Sequence, residues 1–166
     1  MKPDSTMQTE ENPVLPPVDR LDRLGIVGYG EVGRIFAAGL RKAGVSDVAV
    51  WDLKFIDPAK GPEPLAHAQV AGVVAADSVA ALCAGRQLIV SAVTASNTLA
   101  VAEAVAPHIR PGTVFLDLNS ASPGTKQKAA ALIDAASVGF TSTSAGLIDL
   151  ASKAWRIAVT RSFFKP

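Results

Sequence analysis

Leu24-Gly25-Ile26-Val27-Gly28-Tyr29-Gly30-Glu31-Val32-Gly33 is a short apolar run that breaks into glycines and then opens a helical pattern. It reads as strand, tight turn and helix. Gly28, Gly30 and Gly33 fit G-x-G-x-x-G. In that spacing the first glycine allows a sharp turn, the second lets a pyrophosphate approach the backbone, and the third lets the helix pack close to the strand. The start of the helix then offers unpaired N–H groups and a positive dipole end to phosphate.

The surroundings make the motif more specific than the glycines alone. Val32, Ile35, Phe36, Leu40 and Ala43 recur at helical spacing, which predicts one apolar stripe against a sheet, and Gly44 follows as the residue that ends the helix. Val45 to Trp51, rich in β-branched and aromatic residues, predicts a second strand that runs into Asp52. Asp52 stands nineteen positions beyond Gly33, near the spacing of about 20 at which an acid reaches the adenosine ribose hydroxyls. Gly28, Tyr29, Gly30, Glu31, Val32, Gly33 and Asp52 are therefore candidate cofactor-binding residues. A carboxylate repels a 2′-phosphate, so Asp52 favours NAD over NADP, whereas Lys54 or Lys60 close to it would accept that phosphate and blur the preference.

Size and composition bound the alternatives. With 166 residues, 49% hydrophobic and 19% charged, the chain is long enough for one α/β domain with a real core and too short for two ordinary ones. A net charge of +1 and a pI near 7.9 give no sign of a polyanion-binding surface, so no nucleic-acid partner is expected. The single cysteine, Cys83, cannot form a disulfide within the chain and reads as a small buried hydrophobe. With His67 and His108 as the two histidines, no metal site is expected. Residues 1–20 carry Pro3, Pro13, Pro16 and Pro17 among polar residues and read as a disordered lead-in, with neither signal peptide nor anchor. No long uninterrupted apolar run follows, so a cytoplasmic protein without a membrane partner is expected.

Further along, Leu53 to Gln69 holds Pro58, Pro62 and Pro64 and has no steady period, which predicts a loop with a short helical turn near its end. Gly72 to Ala75 predicts a short buried strand, and Asp77 the cap of a helix ending at Gly85. Leu88 to Val93 predicts the next strand, followed by a polar turn, Thr94 to Asn97, and a helix that Pro107 stops. Ligands of an open parallel sheet lie outside the carboxyl ends of its strands, so Val93 and Thr94 should flank the nicotinamide half of a cofactor. Ser96 and Asn97 fit a helix cap and a ligand contact equally well. Thr113 to Leu118 predicts a fifth strand, and Ser122-Pro123 opens a helix to about Ala136. Asn119, Ser120 and Ser122 thus gather at a strand's carboxyl end, where they can hold a carboxylate or hydroxyl of a small substrate; capping accounts for Ser122 as well.

Two segments at this separation resemble a known family. Gly28 to Gly33, with Val32 where methionine is frequent, resembles the first motif of the β-hydroxyacid dehydrogenases. That family includes 3-hydroxyisobutyrate and 6-phosphogluconate dehydrogenases. Asp117 to Pro123 resembles its D-x-S-T-x-x-P segment, with Asn119 and Ser120 in place of serine and threonine. The resemblance runs from about Leu24 to Ala136. The glycine motif followed by alternating strands and helices predicts a single Rossmann-type, doubly wound parallel sheet of strand order 3-2-1-4-5, and the resemblance implies hydride transfer between nicotinamide, of NAD or NADP, and a small hydroxy acid. It also implies a second, all-helical domain that carries the catalytic lysine and most of a homodimer interface. That domain cannot be located here, so no catalytic residue is assigned and a truncated or frameshifted product is expected. A catalytically silent dinucleotide-binding module and an imine-reductase-like enzyme share the resemblance. The organisation expected is a lead-in over 1–20, a dinucleotide-binding domain over 21–138, and an atypical tail over 139–166, read either as a sixth strand, Trp155 to Thr160, or as a divergent end.

Overall fold

In the computed structural model the described residues are 21–136. The lead-in expected over 1–20 and the tail expected over 139–166, with either reading of Trp155 to Thr160, lie outside them. The chain runs β1 (Arg23–Val27), α1 (Glu31–Lys42), β2 (Asp47–Trp51), α2 (Pro62–Val70), β3 (Val74–Ala75), α3 (Val79–Cys83), β4 (Leu88–Ser91), α4 (Thr98–Val105), β5 (Val114–Asp117) and α5 (Pro123–Ala136). Short 3-10 turns cover Leu53–Ile56, Ala95–Asn97 and Ala106–His108. The five strands form one sheet in the order β3-β2-β1-β4-β5, and every pairing is parallel. The fold is the Rossmann-type α/β sheet.

Alternation along the strands builds two cores. Ile26, Val48, Val50, Leu88 and Val90 face one side, where they meet Phe36, Ala37 and Leu40 of α1 and Ala68 of α2. Val27, Ala49 and Ile89 face the other, against Leu82 and Cys83 of α3, Val101 and Val105 of α4, and Ile133 of α5. A sheet covered on both faces needs apolar residues at successive positions, which is why its strands read as continuous apolar runs. Cys83 sits in the second core, and burial pushes its thiol up to about 11.

Several elements differ from the sequence reading. The buried face of α1 is Gly33, Phe36, Ala37, Gly39 and Leu40, while Val32 and Ile35 are about half exposed, at 52% and 48%, and Ala43 is exposed. Gly33, Phe36, Ala37 and Leu40 stand at i, i+3, i+4 and i+7 and make the contact line, with Gly33 against Gly28, so Val32 and Ile35, one position off that line, are turned away from the sheet. The stretch expected to be a loop holds α2, nine residues long, with Pro62 and Pro64 in its first turn, where no intrahelical N–H is required. Its buried residues are Pro64 and Ala68, too few to print a periodic stripe in the sequence. β3 is an edge strand of two residues, with Val74 exposed instead of buried. The cap of α3 is Ser78, whose side chain accepts from the Ala81 N–H; Asp77 lies one residue too early for that bond. Gly44 follows the last turn of α1 with φ +94. There the Gly44 N–H donates to the Arg41 carbonyl and the Val45 N–H to that of Leu40, which closes the helix in a Schellman arrangement.

Candidate functional site

The carboxyl ends of β1 and β4 diverge at the point where the strand order reverses, and a cavity of about 520 Å³ opens there. Its floor is the glycine bend with Gly28, Gly30, Glu31 and Val32. Trp51, Asp52, Leu53 and Lys54 form one wall; Ala92, Val93, Thr94 and Asn97 form another, and Ala100, Val101 and Ala104 of α4 close the side between them.

Each glycine of the motif has a distinct surrounding. Gly28 has φ +95, and a side chain there would run into the Ala92 carbonyl and the Val93 side chain. A side chain at Gly33 would run into the Gly28 carbonyl, so this glycine sets how closely α1 lies on β1. At Gly30 an added methyl would meet no atom within 4 Å; the space beside it is open. Gly30 is also the N-cap of α1, and no side chain caps that end. The amides of the first turn therefore face the cavity with the positive end of a twelve-residue helix behind them. An open backbone cradle of this kind fits a pyrophosphate.

Asp52 turns toward the bend. Its Oδ2 accepts from the Tyr29 N–H at 2.7 Å and its Oδ1 from the Lys54 N–H at 2.9 Å. A carboxylate has about four acceptor positions, so each oxygen keeps one for a hydroxyl in the cavity. Lys54 lines the cavity, whereas Lys60 is tied to Asp57 at 3.3 Å.

Tyr29, singled out with the glycines, departs from them. Its side chain is 1% exposed and points into the first core, where its hydroxyl meets His67 Nδ1 at 3.0 Å and its ring lies edge-on to Phe55 and His67. Burial raises the pKa of the phenol. Arg34 closes over the ring at 5.6 Å and holds both carboxylate oxygens of Glu63. Tyr29 thus joins the glycine bend to α2 and lies behind the cavity surface.

The second motif separates as well. Asn119 is buried, its Oδ1 accepting from the Val93 N–H at 2.7 Å and its Nδ2 donating to Ser91 Oγ at 2.9 Å. Ser120 and Ser122 are exposed. The Ser122 hydroxyl accepts from the Thr125 N–H at 3.3 Å, as a helix cap does. These three residues lie outside the lining of the cavity. Asn97 holds the cap position of α4 without a capping bond; its Nδ2 donates to Thr94 Oγ1, and it lines the cavity.

Sequence reasoning passed over Trp51, Leu53, Ala100, Val101 and Ala104. For the three residues of α4 the signal available was that this helix starts at the switch point, so its first turns must border the crevice; for Trp51 and Leu53 it was that they flank Asp52 in the sequence. The Trp51 indole N–H is buried without a hydrogen-bond partner among the described residues. Among those residues there is no group of three or more His, Cys, Asp or Glu able to hold a metal, and no helix is long and apolar enough to cross a membrane.

Comparison with known proteins agrees with this fold. A conserved hypothetical protein from Sinorhizobium meliloti 1021 is 35% identical, with TM-score 0.66 over 70% of this chain and 39% of its own. The 3-hydroxyisobutyrate dehydrogenase of Mycobacterium tuberculosis, solved with L-serine, is 23% identical, with TM-score 0.61 over 70% of this chain and 38% of its own. A reductive aminase from Aspergillus terreus, in complex with NADPH and ethyl-5-oxohexanoate, is 24% identical, with TM-score 0.53 over 69% of this chain and 37% of its own. At their level of identity the last two share the fold alone. This chain spans about two fifths of the length of these structures. No curated protein sequence matches it. Residues 23–146 match the family of the NAD binding domain of 6-phosphogluconate dehydrogenase. With the glycine bend, the uncapped helix and Asp52 assembled around one crevice, the chain belongs to the β-hydroxyacid dehydrogenase family and carries its NAD(P)-binding domain.

Proposed function

We propose that residues 21–138 are the dinucleotide-binding unit of an NAD(P)-dependent oxidoreductase that passes hydride between nicotinamide and a small β-hydroxyacid or related carboxylate. The observation that carries this reading is the convergence of Gly28, Gly30, the open start of α1 and Asp52 on one cavity at the switch point. Gly28 and Gly30 would admit the pyrophosphate to the first-turn amides, and the free acceptor positions of Asp52 would take ribose hydroxyls. Val93 and Thr94 would flank the nicotinamide half. The bound dinucleotide supplies the hydride chemistry; these residues bind and orient it. Ser120 and Ser122, exposed beyond β5, would meet the substrate. By resemblance, the lysine that moves the hydroxyl proton belongs to a second domain.

Asp52 supports a preference for NAD, because its charge opposes a 2′-phosphate. Lys54 on the same wall supports the alternative, and the reductive aminase that shares this fold is held with NADPH. An imine-reductase-like activity is the corresponding second reading. Titration of NAD and NADP into the purified chain by calorimetry tests both. Tighter binding of NAD is expected; tighter binding of NADP would favour Lys54 and the second reading. A folded chain that binds neither would overturn the assignment.

A further inference from the structure

The resemblance puts Asn119 among residues that touch substrate, but its side chain is 4% exposed and both ends of its carboxamide are engaged. What those bonds do follows from the ladder that they end. β4 and β5 pair in parallel as far as Ser91 and Asp117, and one more backbone bond runs from the Leu118 N–H to the Ser91 carbonyl. On the other side of β4 the Ala92 N–H donates to the Val27 carbonyl at 2.8 Å. Alternate amides of a parallel strand point to opposite neighbours, so the Val93 N–H points toward β5. There the Asn119 side chain takes the place of a strand carbonyl and accepts from it at 2.7 Å.

The carboxamide is itself fixed at both ends. Its Nδ2 donates to the buried Ser91 hydroxyl, and the Asn119 N–H donates to Asp117 Oδ1 at 2.8 Å. Val93 and Thr94 line the cavity, and the Val93 side chain is one of the groups that a side chain at Gly28 would strike. The position of Val93 therefore bears on both the wall and the bend.

We infer that Asn119 is a positioning residue whose carboxamide caps the β4–β5 ladder and holds Val93 and Thr94 in place as the nicotinamide-side wall of the cavity. This rests on the reading of the cavity as a cofactor site. It predicts a selective loss: the ADP half is held by the glycine bend and Asp52, and the nicotinamide half by the wall that Asn119 supports.

The test is Asn119→Leu in the full chain, with NADH and ADP titrated by calorimetry and the exchange of the Val93 amide hydrogen followed without ligand. Loss of a buried hydrogen bond predicts Val93 exchange faster by at least about tenfold and NADH binding weaker by about tenfold, with ADP binding changed by less than about twofold. Unchanged Val93 protection, or equal changes for NADH and ADP, would overturn the inference. Should Asn119→Leu fail to fold, Ser91→Ala decides: it keeps the acceptor for Val93 but frees the other end of the carboxamide. A loss of about threefold for NADH alone is then expected, and parallel changes in both ligands would again overturn it. If the unaltered chain binds neither NADH nor ADP, the cofactor reading falls, while Val93 exchange still shows whether Asn119 holds the wall.

Discussion

The three glycines of one motif respond to different physical demands, and single substitutions separate them. A methyl at Gly28 enters positive φ and strikes backbone, and one at Gly33 strikes the Gly28 carbonyl, so both require the bend to move. Gly28→Ala and Gly33→Ala should each cost about 1–3 kcal/mol of folding stability. Gly30→Ala meets open space and should fold normally, while the added methyl fills the approach of a pyrophosphate and weakens dinucleotide binding at least about tenfold. Thermal melts and calorimetry on the three variants check the pattern; a destabilised Gly30→Ala, or one with unchanged affinity, would contradict it. Residue spacing was legible here because a turn and a helix start are local. The direction of Tyr29 was not, since its partners Asp52 and His67 lie 23 and 38 positions away.

Between elements, α2 is the feature that the sequence concealed, and it packs behind the glycine bend without lining the cavity. It is docked by the Tyr29–His67 bond and by the two bonds from Arg34 to Glu63. The Arg34 guanidinium holds the Glu63 carboxyl below its usual pKa, chiefly through those hydrogen bonds. A depressed carboxyl stabilises the fold above its unfolded pKa, and the contribution is lost as pH falls through the folded one. Stability should therefore decline on the acid side as pH falls through and below the ordinary carboxylate range of about 4, and Glu63→Gln should flatten that decline without abolishing it, because Asp57 is lowered as well, first by the Ala59 N–H. Thermal melts across that range make the comparison; superimposable curves would mean that the exposed pair contributes nothing, as many surface pairs do. Because α2 buries little more than Pro64 and Ala68, no apolar period announced it, and three prolines read as breakers when two of them sit harmlessly in its first turn.

At the scale of the whole molecule, two cores clamp a parallel sheet whose switch point holds the cavity, so ligand binding and folding are linked. NAD at about 100 times its dissociation constant should add about 2.7 kcal/mol, a rise in melting temperature of roughly 5–15 °C. On the proposed reading, in which the bend and Asp52 hold the adenosine half, ADP at the same concentration should retain most of that rise and nicotinamide mononucleotide little of it. A larger rise with the mononucleotide would place the main contacts on the other wall. The sequence by itself determined the glycine bend, the run of strands buried on both faces, the strand order and the register of Asp52 with the bend. All of these rest on near-neighbour geometry, repeated periods or a motif spacing fixed by the crossover. The tertiary structure alone decided that Val32 and Ile35 face outward, that Tyr29 turns into the core, and that Asn119 supports a wall instead of facing the cavity. Those outcomes depend on which distant backbone donors and packing surfaces meet in space, and a donor such as the Val93 N–H acquires its partner only once β4 and β5 lie side by side.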